Sequence, residues 1–189
     1  MSTSPALAPP RWEGRAAVVG GQRYRSCPAA TVLVPGTGWA RDGVVVAAID
    51  DDGNASQIIA YALTRAARLR VPLRVAHVWA ERGTGPGSLR MPRQERIGYA
   101  DRLLSAALHD WVPAGERLAP ERQILHDDDA AHALTALSRE AALLVVALNS
   151  DPTASDVRPG HTTRGLIGQT VCPLAILPAT RHSATARGW

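Results

Sequence analysis

Residues 143–178 read LLVVALNSDPTASDVRPGHTTRGLIGQTVCPLAILP, and the architecture follows from that stretch. Leu143-Leu-Val-Val-Ala147 is a continuous apolar run of strand length, the pattern of a strand buried on both faces. Leu174-Ala-Ile-Leu177, opened by Cys172-Pro173, is a second such run. Between them lie a polar loop and a segment predicted as a short helix, from about His161 to Val171. Parallel strands need a crossover between them, and a helix is its usual form.

The same alternation extends toward the N-terminus. Val44-Val-Val-Ala-Ala-Ile49-Asp50 is an apolar run ending in an acid, followed by turn and cap residues Asp51-Asp52-Gly53-Asn54. Ala55, Ile58, Ile59, Ala62, Leu63 and Ala66 then recur at helical spacing. Val71–Trp79 reads as a second buried strand. Ile97, Ala100, Leu104, Ala107, Leu108 and Trp111 trace one face of a helix over about 93–112. A weaker strand is expected at about Arg122–His126. Asp127, Asp128 and Asp129 are expected in the first turn of the next helix, where negative charge meets the helix dipole. The order implies a five-stranded parallel sheet in a doubly wound α/β/α sandwich with right-handed crossovers. Ligands of such sheets bind beyond the carboxyl ends of the strands, where Asp50, Val78 and the 147–161 loop fall.

Three segments are expected: an extension over 1–43, partly disordered; a domain over 44–178; and a tail over 179–189. Residues 1–15 are rich in Pro, Ser and Ala and lack an apolar period. Residues 16–20 and 29–34 are short strand candidates. Ser26-Cys27-Pro28-Ala-Ala-Thr-Val-Leu-Val-Pro35 echoes Val171-Cys172-Pro173-Leu-Ala-Ile-Leu-Pro178, as the remnant of a preceding domain or as coincidence in an Ala/Val-rich chain. Residues 27–36 are expected to lie ordered against the sheet, since so apolar a run is poorly placed in water.

All 21 basic residues are arginine, which excludes a Walker lysine and any Schiff-base lysine chemistry. The net charge of +4 sits mostly in residues 1–43, where five arginines face only Glu13 and Asp42. A basic arm of this kind reads as solubilising; contact with nucleic acid is the alternative. No apolar window is long enough to cross a membrane, and no signal peptide opens the chain, so a cytoplasmic protein is expected. Cys27 and Cys172 make neither a disulfide framework nor a zinc site and read as packing residues. His126, Asp127, Asp128, Asp129 and His132 are read as a solvated helix start rather than a metal site, with Asp128 and His132 one turn apart. No Gly-x-Ser-x-Gly or His-Glu-x-x-His motif is present. Trp79 and Trp111 are expected in or beside the core, and Trp12, Trp39 and Trp189 outside it.

Ala147-Leu-Asn-Ser150, nine residues, then Gly160-His161 have the spacing Gly-x2-Gly-x9-Gly-[Ser/Thr]. With the Asp-terminated first strand, His77-Val78 at the end of the second, and Cys-Pro before the last, this resembles the universal stress protein family. The resemblance implies strand order 3-2-1-4-5 and a homodimer paired through the last strand. Carried over from ATP-binding members, the cofactor positions are Asp50, Val78, Ala147, Ser150, Gly160 and His161. Asp50, Val78 and Gly160 match that pattern. Ala147 and Ser150 stand where it has glycine, and His161 where it has a hydroxyl residue. Side chains at 147 and 150 would crowd a triphosphate, and Asp151 and Asp156 repel one. Arg158, His161 and Arg164 act in the opposite sense. The expectation is a stress-response module that binds and dimerises without catalysis, with ATP bound weakly or not at all. The alternatives are an ATP-binding protein with slow hydrolysis and a basic nucleic-acid-associated protein.

Overall fold

The structure, a computed structural model, describes residues 30–36, 38–50, 54–80, 92–109, 111, 120–148 and 159–178. Among the described residues the strands are β1 (Thr31–Leu33), β2 (Val44–Ala48), β3 (Leu73–Trp79), β4 (Glu121–His126), β5 (Ala141–Ala147) and β6 (Leu174–Leu177). The helices are α1 (Ala55–Leu69), α2 (Arg93–His109), α3 (Ala130–Leu137) and α4 (His161–Leu166). The strands form one sheet in the order β1-β6-β5-β2-β3-β4. The expected count of five is corrected to six. Strands β2 to β6 are parallel and stand in the expected order, while β1 adds an antiparallel strand beside β6. A free strand edge carries unpaired N–H and C=O groups, and the run Thr31–Leu33 supplies partners for those of β6.

Alternation along the strands builds two cores. Val45, Ala47, Val75, Leu143, Val145, Ala175 and Leu177 face Ile58, Ile59 and Ala62 of α1 and Leu104 and Leu108 of α2. Val46, Ala76, Leu144, Val146, Leu174 and Ile176 face Leu134 and Leu137 of α3 and Leu166 of α4. Val32 of β1 packs against the first cluster and Leu33 against the second, so the added strand joins both layers. Trp39, expected outside the core, packs against the second cluster with the Arg41 guanidinium 5.1 Å from its ring centroid. The face expected for α2 holds at Ala100, Leu104 and Leu108 but not at its ends. Ile97 is 40% exposed and Trp111, beyond the helix, 38%.

Local chemistry sets the element ends. Arg70 takes a left-handed conformation (φ 59°) and its N–H caps the carbonyls of Ala66 and Ala67, a position glycine usually fills. Only Asp129 of the three acids caps α3, accepting from the Ala131 N–H at 2.9 Å; Asp127 and Asp128 precede the helix rather than entering its first turn. The last helix, expected to reach Val171, stops at Leu166 because Ile167 is extended and Gly168 takes φ 78°.

The amino-terminal ends of the strands are closed. A Cβ on Gly43 would lie 2.2 Å from the Glu140 carbonyl oxygen, so only glycine lets the two chain segments approach. Arg74 donates to Glu121 at 2.9 Å and to Glu140 at 3.3 Å, tying β3 to β4 and to the end of α3. The fully buried Ser138 hydroxyl donates to the Thr135 carbonyl and accepts the Val171 N–H, fastening the same region to the approach of β6.

Candidate functional site: a cleft at the carboxyl ends of β2 and β5

Strand β2 has β3 on one side and β5 on the other. The chain winds away from it in both directions, which leaves a crevice at the carboxyl ends that helices do not fill. A cleft of about 120 Å3 lies there. Ala48, Ile49, Ala76 and Val146 from the sheet form its floor. Ile58 of α1 and Ala130 and Leu134 of α3 form its walls, and the segment Gly160–Thr163 borders it.

Asp50, Val78, Ala147, Gly160 and His161 all line this cleft. Ser150 lies outside the described residues. Asp50 follows β2 and is exposed at the rim, while Val78 is half-buried and its side chain packs with the second core cluster. Ala147 ends β5, and its side chain packs against the first cluster. Gly160 is the N-cap residue of α4, with His161 exposed beside it.

Two groups outside the expected cofactor positions hold this geometry. The Thr163 hydroxyl, buried in the first turn of α4, donates to the Ala147 carbonyl at 3.1 Å and pins the helix to the end of β5. The buried His77 ring meets the Ile49 carbonyl through Nδ1 at 3.1 Å; only an N–H can satisfy that oxygen, so Nδ1 carries the proton. This bond fixes the backbone one residue before Asp50. The signal for Thr163 is the pair Thr162-Thr163 directly after Gly160-His161, which places hydroxyls one and two residues beyond the expected position.

Beside the cleft, at the start of α3, His132 pairs with Asp127 at 2.6 Å rather than with Asp128. A hydrogen bond from the Asp129 N–H, then the His132 ring, holds the Asp127 carboxyl below its ordinary range. Asp127 in turn raises the His132 imidazole. Among the described residues no group of three or more His, Cys, Asp or Glu is placed to hold a metal ion. Burial pushes the Cys172 thiol up to about 11, which suits a packing residue and not a nucleophile. Cys27 lies outside the described residues, as do Trp12 and Trp189.

The sequence model described as the Universal stress protein family matches residues 43–178, most of the chain. The chain belongs to the universal stress protein family. Solved structures agree on the fold. This stress protein is similar to Universal stress protein UspA from Lactobacillus plantarum (TM-score 0.56, 16% identity, 73% of this chain and 99% of that one). It is similar as well to a universal stress protein family member from Burkholderia pseudomallei (TM-score 0.53, 23% identity, 77% and 100%). A third is the universal stress protein from Archaeoglobus fulgidus (TM-score 0.52, 18% identity, 71% and 92%). No curated protein sequence matches significantly. In this stress protein β1 falls before the matched residues, so the antiparallel strand is an addition to the family domain. Among the described residues no helix is long and apolar enough to cross a membrane.

Proposed function

We propose that this stress protein acts in the stress response by binding rather than turnover, and that its cleft takes Mg-ATP weakly or not at all. The observation that carries this reading is the fit of the cleft. Ala147 lines the cleft where the ATP-binding pattern has glycine, so a Cβ stands where bare backbone would approach a phosphate. Calorimetry with Mg-ATP is expected to show no binding tighter than about 100 μM, or about −5.5 kcal/mol. A low-micromolar constant would overturn the reading.

One observation favours a second reading, ATP binding with slow hydrolysis. Asp50, Val78 and Gly160 match the pattern and converge on one cleft. Phosphate release at saturating Mg-ATP, abolished with Asp50→Ala, would support it.

A further inference from the structure

The N-terminal strand β1 occupies the edge of β6 in a register with its own symmetry. Leu174–Leu177 is buried at all four positions. In a strand, the N–H and C=O of one residue point to one neighbour and those of the next residue to the other. The Leu144 N–H bonds the Pro173 carbonyl at 2.9 Å and the Leu148 N–H the Leu177 carbonyl at 2.7 Å. Residues 173, 175 and 177 therefore face β5, while Leu174 and Ile176 face outward. Without β1 their backbone groups would lie open beside an apolar strand, a template for another chain. The opposite edge is protected differently, since β4 carries exposed Glu121 and Arg122.

β1 closes the β6 edge with Thr31 opposite Ile176, Val32 opposite Ala175 and Leu33 opposite Leu174. Thr31-Val-Leu-Val34-Pro35 and Leu174-Ala-Ile-Leu177-Pro178 are alike; a Cys-Pro pair directly precedes Leu174, while Cys27-Pro28 stands two residues farther from Thr31. Matched on their terminal prolines, Thr31 corresponds to position 174, Val32 to 175 and Leu33 to 176. The observed pairs then read 174 with 176, 175 with 175, and 176 with 174. Two identical antiparallel strands related by a twofold axis through Ala175 would pair in this way.

We propose that β1 is a built-in substitute for the last strand of a second copy. It keeps the full chain monomeric, and its release lets two chains pair through β6 about Ala175. Pairing through the last strand, expected from the sequence, thus depends on β1 leaving. The linker is long enough to allow both states. β1 ends three strand positions from β2, roughly 14 Å at the usual strand spacing. Residues 34–43 span that gap with slack and include Gly36 and Gly38, the latter at φ 97°. β1 is itself a poor template, being only three residues long and soon followed by Pro35. This inference is independent of the cleft, and neither reading depends on the other.

Thr31 and Leu33 oppose the two β6 residues that face outward, so their N–H groups are the ones bonded to β6. The full-length variant Thr31→Pro/Leu33→Pro removes both donors and leaves residues 43–178 untouched. Sedimentation equilibrium is expected to give the unaltered chain the mass of one copy, 20.1 kDa, and the variant a doubled mass with unchanged far-UV circular dichroism. A dimer of the unaltered chain, or a folded variant that stays monomeric, would overturn the proposal. A variant that loses its fold overturns it too, since β1 would then be core and not a detachable cover. A crosslink tests the seat of β1 directly. Val32 and Ala175 form the non-hydrogen-bonded pair, with Cα atoms roughly 4.5 Å apart in such a ladder, within disulfide reach. Oxidised Val32→Cys/Ala175→Cys in a Cys27→Ser background is expected to form an intrachain bond in a monomer. An interchain bond, or none, would refute it.

Discussion

The two ends of the strands in this sheet serve opposite purposes. At the amino-terminal ends Gly43 lies against the Glu140 carbonyl, Arg74 bridges two glutamates, and Ser138 closes on the Val171 N–H. At the carboxyl ends Asp50 and His161 are exposed, and a cleft opens between β2, β5, α3 and α4. Contacts at the first end tie elements together; exposed side chains at the second border a cleft. Changes at the closed end should therefore act on stability, and changes at the open end on binding.

The largest expected effect lies at the closed end. Gly43→Ala sets a Cβ against a backbone oxygen that cannot swing away, and strain of this kind costs about 1–3 kcal/mol or more. Urea denaturation should place Gly43→Ala near the top of that range; an unchanged midpoint would show that the closed end gives easily. Next is Thr163→Val, on the boundary between the ends. It leaves the Ala147 carbonyl without its buried donor, an expected loss of about 1–2 kcal/mol. Because this bond also seats α4 beside the cleft, any ligand found by calorimetry should bind more weakly to Thr163→Val. Loss of stability with intact binding would make Thr163 a purely structural residue.

A smaller effect concerns the pair at the start of α3. The His132 pKa is raised, so its contribution is complete below its ordinary value of 6.5 and is lost as pH rises through the folded-state value. The Asp127 pKa is lowered, so its contribution is complete above 3.8 and is lost as pH falls through the folded-state value. The pair thus stabilises most fully between those ordinary values. Comparing His132→Ala with the parent, the difference in melting temperature should be larger near pH 5 than near pH 9. An equal difference at both would remove the pair from the account. The smallest effect on stability is expected at the open end, where the exposed His161→Ala should change it by no more than about 0.5 kcal/mol. A larger loss would mean that His161 belongs to the scaffold, and the contrast between the two ends would fail there.

Legibility in the sequence followed burial. The parallel strands β2, β3, β5 and β6 could be read because burial on both faces demands unbroken apolar runs. The edge strand β4 was weaker, since half of its residues meet solvent or charge. Strand β1 lies within the candidate run 29–34, but so short a run did not show its place in the sheet, because its partner lies at the other end of the chain. Trp39 gave no period by which to read its burial. Three consecutive acids look equivalent until backbone geometry selects Asp129 as the cap. At the candidate site, Asp50, Val78 and Gly160 were legible because strand and helix ends fix where they fall. The bond from Thr163 to Ala147 was not, because it joins a side chain to a backbone oxygen across a long loop.

The position of β1 has a consequence during synthesis. Thr31 leaves the ribosome before its neighbour Ile176, which follows about 145 residues later. At about 5–20 residues per second, the interval is on the order of ten seconds. Throughout it Val32 and Leu33 travel on a nascent chain whose docking edge has not yet been made. A strand translated about 145 residues before its partner is thus among the last to find its place, and until then its apolar run is open to a chaperone or to the neighbouring chain on the same message.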